Sequence, residues 1–518
     1  MPDASRSIRG GGTTVWRLTL ACAAMLVPSA GAAGPLDDQR ASCSFQAGTT
    51  AEASLGAAAS APFPIDHIVI VMQENRSYDH YFGTLHLAGQ PDSDGWPVEY
   101  SNLDHEGQTV RPHHLGSTCL QHSPPHQSRA MAAAYNDGKM DGFVKNGFLG
   151  DKKAAQKTAA AAKKAAAAGK KATHKSPKVF TPSDGHYALG YYDSTDLPFY
   201  HWLASTWATS DRHFASTMAG TWPNRAFLYT AASGGLTETL QPNNAKCRTP
   251  VGTTSGSSSN PFAVRSKIGK SRYCTLANQP TIFSLLSRHW VSWGVFKGDY
   301  EGDGALRQDV LGWNGRSAGV HGVSTFLRQL RAGTLPNVSF VDPGGGLDEH
   351  PPENVQDGEA FARKVYETAV DSPLWPRMAI IYTYDEGGAL GDHVPPPVAC
   401  PATSEELSVT RLGFRVPLIV VSPYARKHHV SHVVTEHTSI LRLVEAIFKL
   451  PALTGRDANA EALLDLFDFS RAPMLGAPDA PQAGSGGCEH PSDGPDEYDE
   501  DDEEQEESDM ALAPPAGR

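Results

Sequence analysis

The chain has 518 residues, 40% of them apolar, with 44 Lys plus Arg against 57 Asp plus Glu and a formal net charge of −13. That length leaves ample sequence for one large hydrophobic core. The net charge misleads as a guide to partners, because the acidic excess sits mostly between Asp493 and Asp509, opposite a Lys/Ala-rich stretch from Lys152 to Lys178; no nucleic-acid partner is expected.

In chain order, Arg6, Arg9 and Arg17 precede an apolar run from Leu18 to Val27, and Ala30-Gly31-Ala32 supplies a small-residue cleavage pattern. Residues 1–32 are therefore predicted to be an export signal, with an apolar run too short to span a membrane. The mature chain is expected to be periplasmic or secreted. Residues 33–61, rich in Ala, Ser and Gly, read as a flexible lead-in. The catalytic domain is expected over 62–473, interrupted by the Lys/Ala insert at about 151–178, with a disordered linker and acidic tail over 474–518. That insert is suited to a solvated surface helix or to peripheral contact with membrane lipid. Beyond Cys22, which leaves with the signal, an even set of six cysteines favours disulfides, with Cys247 and Cys274 the best local pair.

Within the domain, short apolar runs bounded by polar or turn residues predict strands at His67–Met72, Trp290–Phe296, Val338–Val341, Met378–Tyr384 and Val416–Val421. Amphipathic helices are expected between them, among them Gly358–Ala369 and Thr438–Phe448. Strands alternating with helices predict an α/β fold with a mostly parallel central sheet between helical layers, a three-layer α/β/α sandwich. Three of the strands run straight into polar residues: Glu74-Asn75, Asp342 and Asp385-Glu386. In an open α/β sheet, ligands gather outside the carboxyl ends of the strands.

Glu74, Asn75, Asp385 and Glu386 offer hard oxygen donors, so they are candidate ligands of a divalent metal ion, with Ca, Mg or Mn favoured over Zn. Gly220-Thr221-Trp222-Pro223-Asn224-Arg225 leads into a helical pattern. A hydroxyl at a helix N-terminus sits where phosphate binds, which makes Thr221 a candidate nucleophile and further metal ligand. His393 follows the acidic pair in Asp392-His393-Val394, and His350 lies in Asp348-Glu349-His350-Pro351-Pro352. His126 lies in Pro124-Pro125-His126. All three are candidates for phosphate binding or proton transfer. His428, His429, His432 and His437 fit no compact metal spacing, and His437 is explained as a helix start.

Taken together, Ile65–Gly83, Ala219–Arg225, Asp348–Pro352 and Tyr382–His393 resemble the motifs of a bacterial phosphoesterase family that contains secreted phospholipases C and related acid phosphatases. The segment Tyr191–Phe199 is similar to a further family element that shapes the pocket wall. The resemblance covers about Ile65 to Phe469. It implies an alkaline-phosphatase-like fold and a metal-dependent phosphoesterase. Glu74, Asn75, Asp385, Glu386 and Thr221 would hold the cation. Thr221 would attack phosphorus, and His126, His350 and His393 would serve the phosphate oxygens and the leaving group. The Thr-Trp-Pro-Asn-Arg segment leans toward phospholipase C on phosphatidylcholine-type lipids. An acid phosphatase on small phosphate esters is the alternative, and a non-catalytic exported binding protein is the reading from another class.

Overall fold

Ile68 to Met72 contains no polar residue, and such a run is stable only where both faces of a strand are covered. The computed structural model describes residues 35–60, 62–120, 123–167, 183–233, 280–298, 320–403, 410–486 and 488, with the strands Arg265–Ile268 and Ser271–Cys274. Its main sheet is built from β1 (His67–Gln73), β2 (Ala208–Ser210), β3 (Trp293–Lys297), β4 (Val320–Gly322), β5 (Val338–Asp342), β6 (Met378–Tyr384), β7 (Leu418–Val421) and β8 (His429–Ser431). The spatial order is β4-β3-β5-β1-β6-β7-β2-β8. Every neighbouring pair is parallel except those made by β7, which runs against both β6 and β2. All residues of β1, β5, β6 and β7 are buried, so both faces of the sheet centre are covered. The mostly parallel α/β sheet is as expected. The short strands β2, β4 and β8, at or near the ends of the sheet, carry too few residues to show a periodic pattern.

Among the described residues the helices of five residues or more are α1 (Pro35–Ala41), α2 (Ala51–Leu55), α3 (Tyr78–Phe82), α4 (Ser128–Tyr135), α5 (Phe143–Ala167), α6 (Pro198–Thr206), α7 (Thr221–Thr230), α8 (Ile282–Arg288), α9 (Val323–Ala332), α10 (Val355–Val370) and α11 (His437–Phe448). The last two coincide closely with the amphipathic patterns read from sequence. Among the described residues, no helix is long and apolar enough to cross a membrane.

Two expected boundaries are corrected. The segment read as a flexible lead-in forms α1 and α2, and Thr50 caps α2 by accepting from the Ala53 N–H. Small residues let it approach α11 closely: Ala51, Ala59 and Ala446 form one buried cluster. Buried Arg442 of α11 donates to the carbonyls of Thr49 at 3.3 Å and Thr50 at 3.0 Å, and a disulfide joins Cys43 to Cys400. At the other end, the expected linker from residue 474 packs along α10 as extended chain. Tyr366 donates to the Pro478 carbonyl at 2.7 Å, Arg363 to that of Pro481 at 2.7 Å, and the Gly484 N–H to Glu359 at 2.7 Å. A second disulfide joins Cys119 to Cys488. Residues 1–32, the acidic stretch beyond Cys488, Cys247 and the side chain of Cys274 lie outside the described residues.

The Cys43–Cys400 bond closes a sequence separation of 357 residues. The double replacement Cys43→Ser with Cys400→Ser should lower unfolding stability by about 2–4 kcal/mol, read from urea titrations. An unchanged midpoint would mean that the non-covalent contacts, those of Arg442 and the Arg40–Glu461 ion pair among them, secure this segment without the disulfide.

Candidate active site

The sheet register carries the polar strand ends to one edge. Val71 of β1 pairs with Val341 of β5, and Gln73 pairs with Tyr384 of β6. Asp342, Glu74-Asn75 and Asp385-Glu386 therefore emerge from three adjacent parallel strands. Asn75 turns the chain at φ 58°, a conformation its short polar side chain tolerates, and its N–H donates to Asp385 Oδ1 at 3.2 Å. Gly388, at φ 63°, passes so close that a Cβ there would lie 2.5 Å from the Asn75 carbonyl oxygen.

Negative charge accumulates at this edge around one guanidinium. Arg225 of α7 is fully buried and reaches Glu74 at 2.6 Å, Asp342 at 3.1 Å and Asp385 at 3.5 Å. One cation does not neutralise the group. Burial, then the charge of Glu74, pushes the Asp385 carboxyl up to about 7 against the opposing pull of Arg225. Burial and Asp385 raise Glu386 well above the usual carboxylate range. Burial, Glu74 and Asp342 push Asp348 up to about 8. Asn75 Oδ1, Asp385 Oδ2 and Glu386 Oε1 are buried and accept no hydrogen bond among the described residues. Excess carboxylate charge with buried oxygens that accept no hydrogen bond fits a divalent cation. The three carboxylates do not close to compact ligand spacing here, since Arg225 stands between Glu74 and Asp385. A separate group that could hold a metal ion, His114 with Asp193 and Asp196, has its donor atoms within 4.8 Å of one another.

Thr221 opens α7, and its N-cap, Gly220, supplies no side-chain acceptor to the first turn. The N–H groups of Thr221 and Trp222 thus receive no capping side chain from Gly220, and Pro223 has no N–H to satisfy. Asn224 clamps the entry: it donates to the carbonyls of Ala219 at 2.7 Å and Gly220 at 3.0 Å and accepts from the Thr217 N–H at 3.0 Å. Thr221 and Arg225 are four residues apart and share one helix face. The ion pairs of Arg225 thereby turn the start of α7 toward the carboxylate edge.

Two of the three histidines come to the same place. The His126 and His350 rings lie 5.9 Å apart, and His126 Nε2 is 3.4 Å from Asn75 Nδ2 and 3.9 Å from Glu386 Oε1. Their Nδ1 atoms face the carbonyls of Pro124 at 2.9 Å and Pro351 at 2.7 Å, which fixes both ring orientations. Burial, reinforced by His350, pushes His126 down to about 4. His393 is engaged by a different set of charged groups. Its Nδ1 lies 2.6 Å from Asp79 and its Nε2 3.3 Å from Asp94, with Arg415 against Asp79 at 2.8 Å. Burial alone would lower it, but the two carboxylates outweigh burial and hold it at about 9. His437 is buried at the start of α11, its Nε2 3.0 Å from the Tyr384 carbonyl, as a helix start should be.

Sequence reasoning passed over Arg225, Asp348 and Glu349 as functional groups. Arg225 closes the Gly220–Arg225 motif, and its position four residues from Thr221, in a chain whose strand ends carry a surplus of carboxylates, is the signal that marks it. Glu349, fully buried at φ 71°, accepts from Tyr81 at 2.5 Å, Tyr200 at 2.5 Å, Tyr384 at 2.6 Å and Gln73 at 2.8 Å. Arg76 donates to its carbonyl at 2.8 Å. This cage fixes the backbone from which His350 projects. Gly358 of α10 makes room for it, since a Cβ there would meet Glu349 Cγ at 2.1 Å.

Paired carboxylates and an open helix N-terminus at the carboxyl edge of a parallel sheet are the equipment of a hydrolase of phosphate ester bonds. The model of the "Phosphoesterase family" matches residues 65–451, and the chain belongs to that family. Among its relatives, "Phospholipase C B" of Mycobacterium tuberculosis is 28% identical over 470 residues, covering 80% of each chain. "Non-specific phospholipase C1" of Arabidopsis thaliana is 27% identical, covering 80% of this chain and 73% of its own. "Hemolytic phospholipase C" of Pseudomonas aeruginosa is 27% identical, covering 79% of this chain and 56% of its own. A protein in the alkaline phosphatase superfamily from Vibrio parahaemolyticus matches 54% of this chain and 65% of its own at 10% identity, with a TM-score of 0.29, too distant for further argument.

Two outcomes follow. Gly358→Ala should displace Glu349 from its tyrosines and cost about 1–3 kcal/mol in urea unfolding, as overpacking does. His393, raised from 6.5 to about 9 on folding, contributes stability that is complete below about pH 6.5 and is lost as pH rises through 9. Unfolding free energy should fall across that window in the parent chain, and His393→Gln should flatten the fall. An equal slope in both would remove the ion pairs as its cause.

Proposed function

We propose that the chain is an exported, metal-dependent phospholipase C that cleaves phosphatidylcholine-type lipids through a phosphothreonine intermediate. The observation that carries this reading is the convergence of Arg225, Glu74, Asp385 and the start of α7 on one sheet edge, beside His126 and His350. The names of the relatives supply the substrate class. Export agrees with the two long-range disulfides, which belong to an oxidising compartment.

Asn75, Asp385 and Glu386, with Glu74 and Thr221, would hold the divalent ion. When bound it would supply positive charge that lowers the proton affinity of a hydroxyl and polarises phosphoryl oxygen. The chain's own residues do the rest. The N–H groups opening α7 and the Arg225 guanidinium draw the phosphate to the helix end. Thr221 Oγ passes its proton to Nε2 of His126 or His350 and attacks phosphorus in line, forming the Oγ–P bond as the bond to the glycerol oxygen breaks. With Nδ1 of His126 and His350 committed to carbonyls, Nε2 is the proton-exchanging atom of each ring, and one of them protonates the departing alkoxide. Water then attacks phosphorus, restoring Thr221 and releasing phosphocholine. Positioning and electrostatics supply most of the rate in phosphoryl transfer. His393, held between Asp79 and Asp94, braces a neighbouring buried ion network in this scheme instead of touching substrate.

The test is phosphocholine release from phosphatidylcholine beside phosphate release from an aryl phosphate, before and after chelation. Phosphocholine release abolished by chelation and restored by a divalent ion is expected. Thr221→Ala should lower kcat by about 10³-fold or more. Release of phosphate alone would make the enzyme a phosphatase on monoesters, and full activity in Thr221→Ala would sink the nucleophile assignment.

A further inference from the structure

The extended stretch that packs along α10 after residue 474 runs toward the N-terminus of that helix. Its contacts descend the helix in order: Pro478 meets Tyr366, Pro481 meets Arg363, and Gly484 meets Glu359. Beyond them the Gly486 carbonyl accepts from Asn354, the N-cap of α10, at 3.4 Å and from Thr118 at 3.5 Å. Cys488 is then bonded to Cys119. The fit is tightest at Gly484, where a Cβ would lie 2.1 Å from Gln356 Nε2 and 2.4 Å from the Asp196 carbonyl oxygen. This strap is therefore seated between α10 and the chain entering α6.

The N-terminus of α10 is also where the segments carrying the two site histidines meet. Val355, a short step after His350, donates its N–H to the Thr118 carbonyl at 3.1 Å, and Thr118 lies a short step before His126. The Gly486 carbonyl receives one donor from each segment, and the disulfide adds a covalent tie to the second. The two histidines differ in what else holds them. Glu349, with its four donors, pins His350 from the neighbouring position. His126 has its Nδ1 against Pro124 of its own loop. Beside it Asn146 donates to the Pro125 carbonyl at 2.8 Å, and Gly150 lies so close that a Cβ would meet Pro125 at 2.3 Å. Upstream, Thr118 and Cys119 are gripped by α10 and the strap.

We propose that this strap, closed by the Cys119–Cys488 bond, is a positioning element of the active site that acts through His126. The proposal rests on the reading of His126 as a group that serves the reacting phosphoester. Its Nε2 must stay beside Asn75 at 3.4 Å and Glu386 at 3.9 Å, with its ring 5.9 Å from that of His350. Misplacing such a group by about 1 Å can cost about 100-fold in rate. An extended segment held by a few hydrogen bonds at the surface opens readily. The disulfide keeps this one closed, and an oxidising compartment keeps the disulfide. The strap touches neither the carboxylate edge nor the start of α7 in any of these contacts, so its influence on the chemistry runs through the histidine segment.

The experiment measures phosphocholine release per folded molecule in full chains that lack one disulfide or the other. Cys119→Ser with Cys488→Ser should lower kcat by about 10- to 100-fold, whereas Cys43→Ser with Cys400→Ser should leave it within about twofold. In a His126→Ala background the Cys119 and Cys488 changes should cost less than about twofold more, whereas a general loss of folded enzyme lowers the rate equally in both backgrounds. Gly484→Ala keeps the disulfide and lifts the strap by overpacking, so it covers the case in which the double variant does not fold. It should lower kcat by about threefold or more, again only when His126 is present. Unchanged kcat, or an equal loss without His126, would overturn the proposal. A second measurement needs no turnover: the rate at which diethyl pyrocarbonate modifies His126, mapped by mass spectrometry against exposed His428. Releasing the strap should raise that rate by about threefold or more, and an equal rate would count against the proposal. A parent chain that releases no phosphocholine would sink the phospholipase reading and leave the labelling to decide the strap.

Discussion

The surplus of buried negative charge at the carboxyl edge of β5, β1 and β6 is the constraint around which the rest of the site is arranged. Glu74, Asp342, Asp348, Asp385 and Glu386 cannot all be ionised in a desolvated space with one guanidinium among them, and burial raises three of the five carboxyl groups. Arg225 answers part of that charge, and in doing so it fastens α7 to three strand ends at once. The same contact therefore sets the direction of the helix N-terminus. What Arg225 leaves unbalanced is the charge that suits the edge to a divalent cation. The electrostatic imbalance and the catalytic proposal are one physical fact seen from two sides.

The shell behind this edge converts backbone conformations that would be unfavourable alone into fixed geometry. Asn75 and Glu349 both sit at positive φ, and each is held by hydrogen bonds from elements far away in sequence. Glu349 lies in the strand-to-helix connection after β5, yet its partners come from β1, α3, α6 and β6. A carboxylate with four donors in a dry interior is strongly pinned. Its neighbour His350 inherits that rigidity. Gly358 and Gly388 serve the same end by leaving out a Cβ where Glu349 and Asn75 pass.

The sheet was legible because its central strands are long, apolar and end abruptly in polar residues, so that period and boundary agree. The candidate residues Glu74, Asn75, Asp385 and Glu386 were legible for the same reason. Cage and clamp residues were not, since Glu349 and Arg225 acquire meaning only from partners that are distant in sequence. Residues 35–60 were misread through composition: small side chains suggested a coil, whereas they permit close packing against α11 and a disulfide across 357 residues. The packed stretch after 473 was misread for a related reason. Its partners are backbone carbonyls serving Tyr366 and Arg363, and carbonyls leave no trace in composition.

His126 and His393 show how little residue type decides by itself. Both lie in proline-containing loops and both were read as groups that serve the phosphate. His126 packs in a desolvated place beside a second imidazole, with Glu386 3.9 Å away, and the result is a ring pushed down to about 4. His393 is also buried, but Asp79 and Asp94 grip its two nitrogens, and the result is a cation up to about 9. The first is held neutral by its surroundings. The second is committed as a counter-ion, and together with Arg415 it neutralises Asp79 and its neighbours behind the site. One motif thus places two strained carboxyl groups, Asp385 and Glu386, beside an imidazole that Asp79 and Asp94 hold in its charged form.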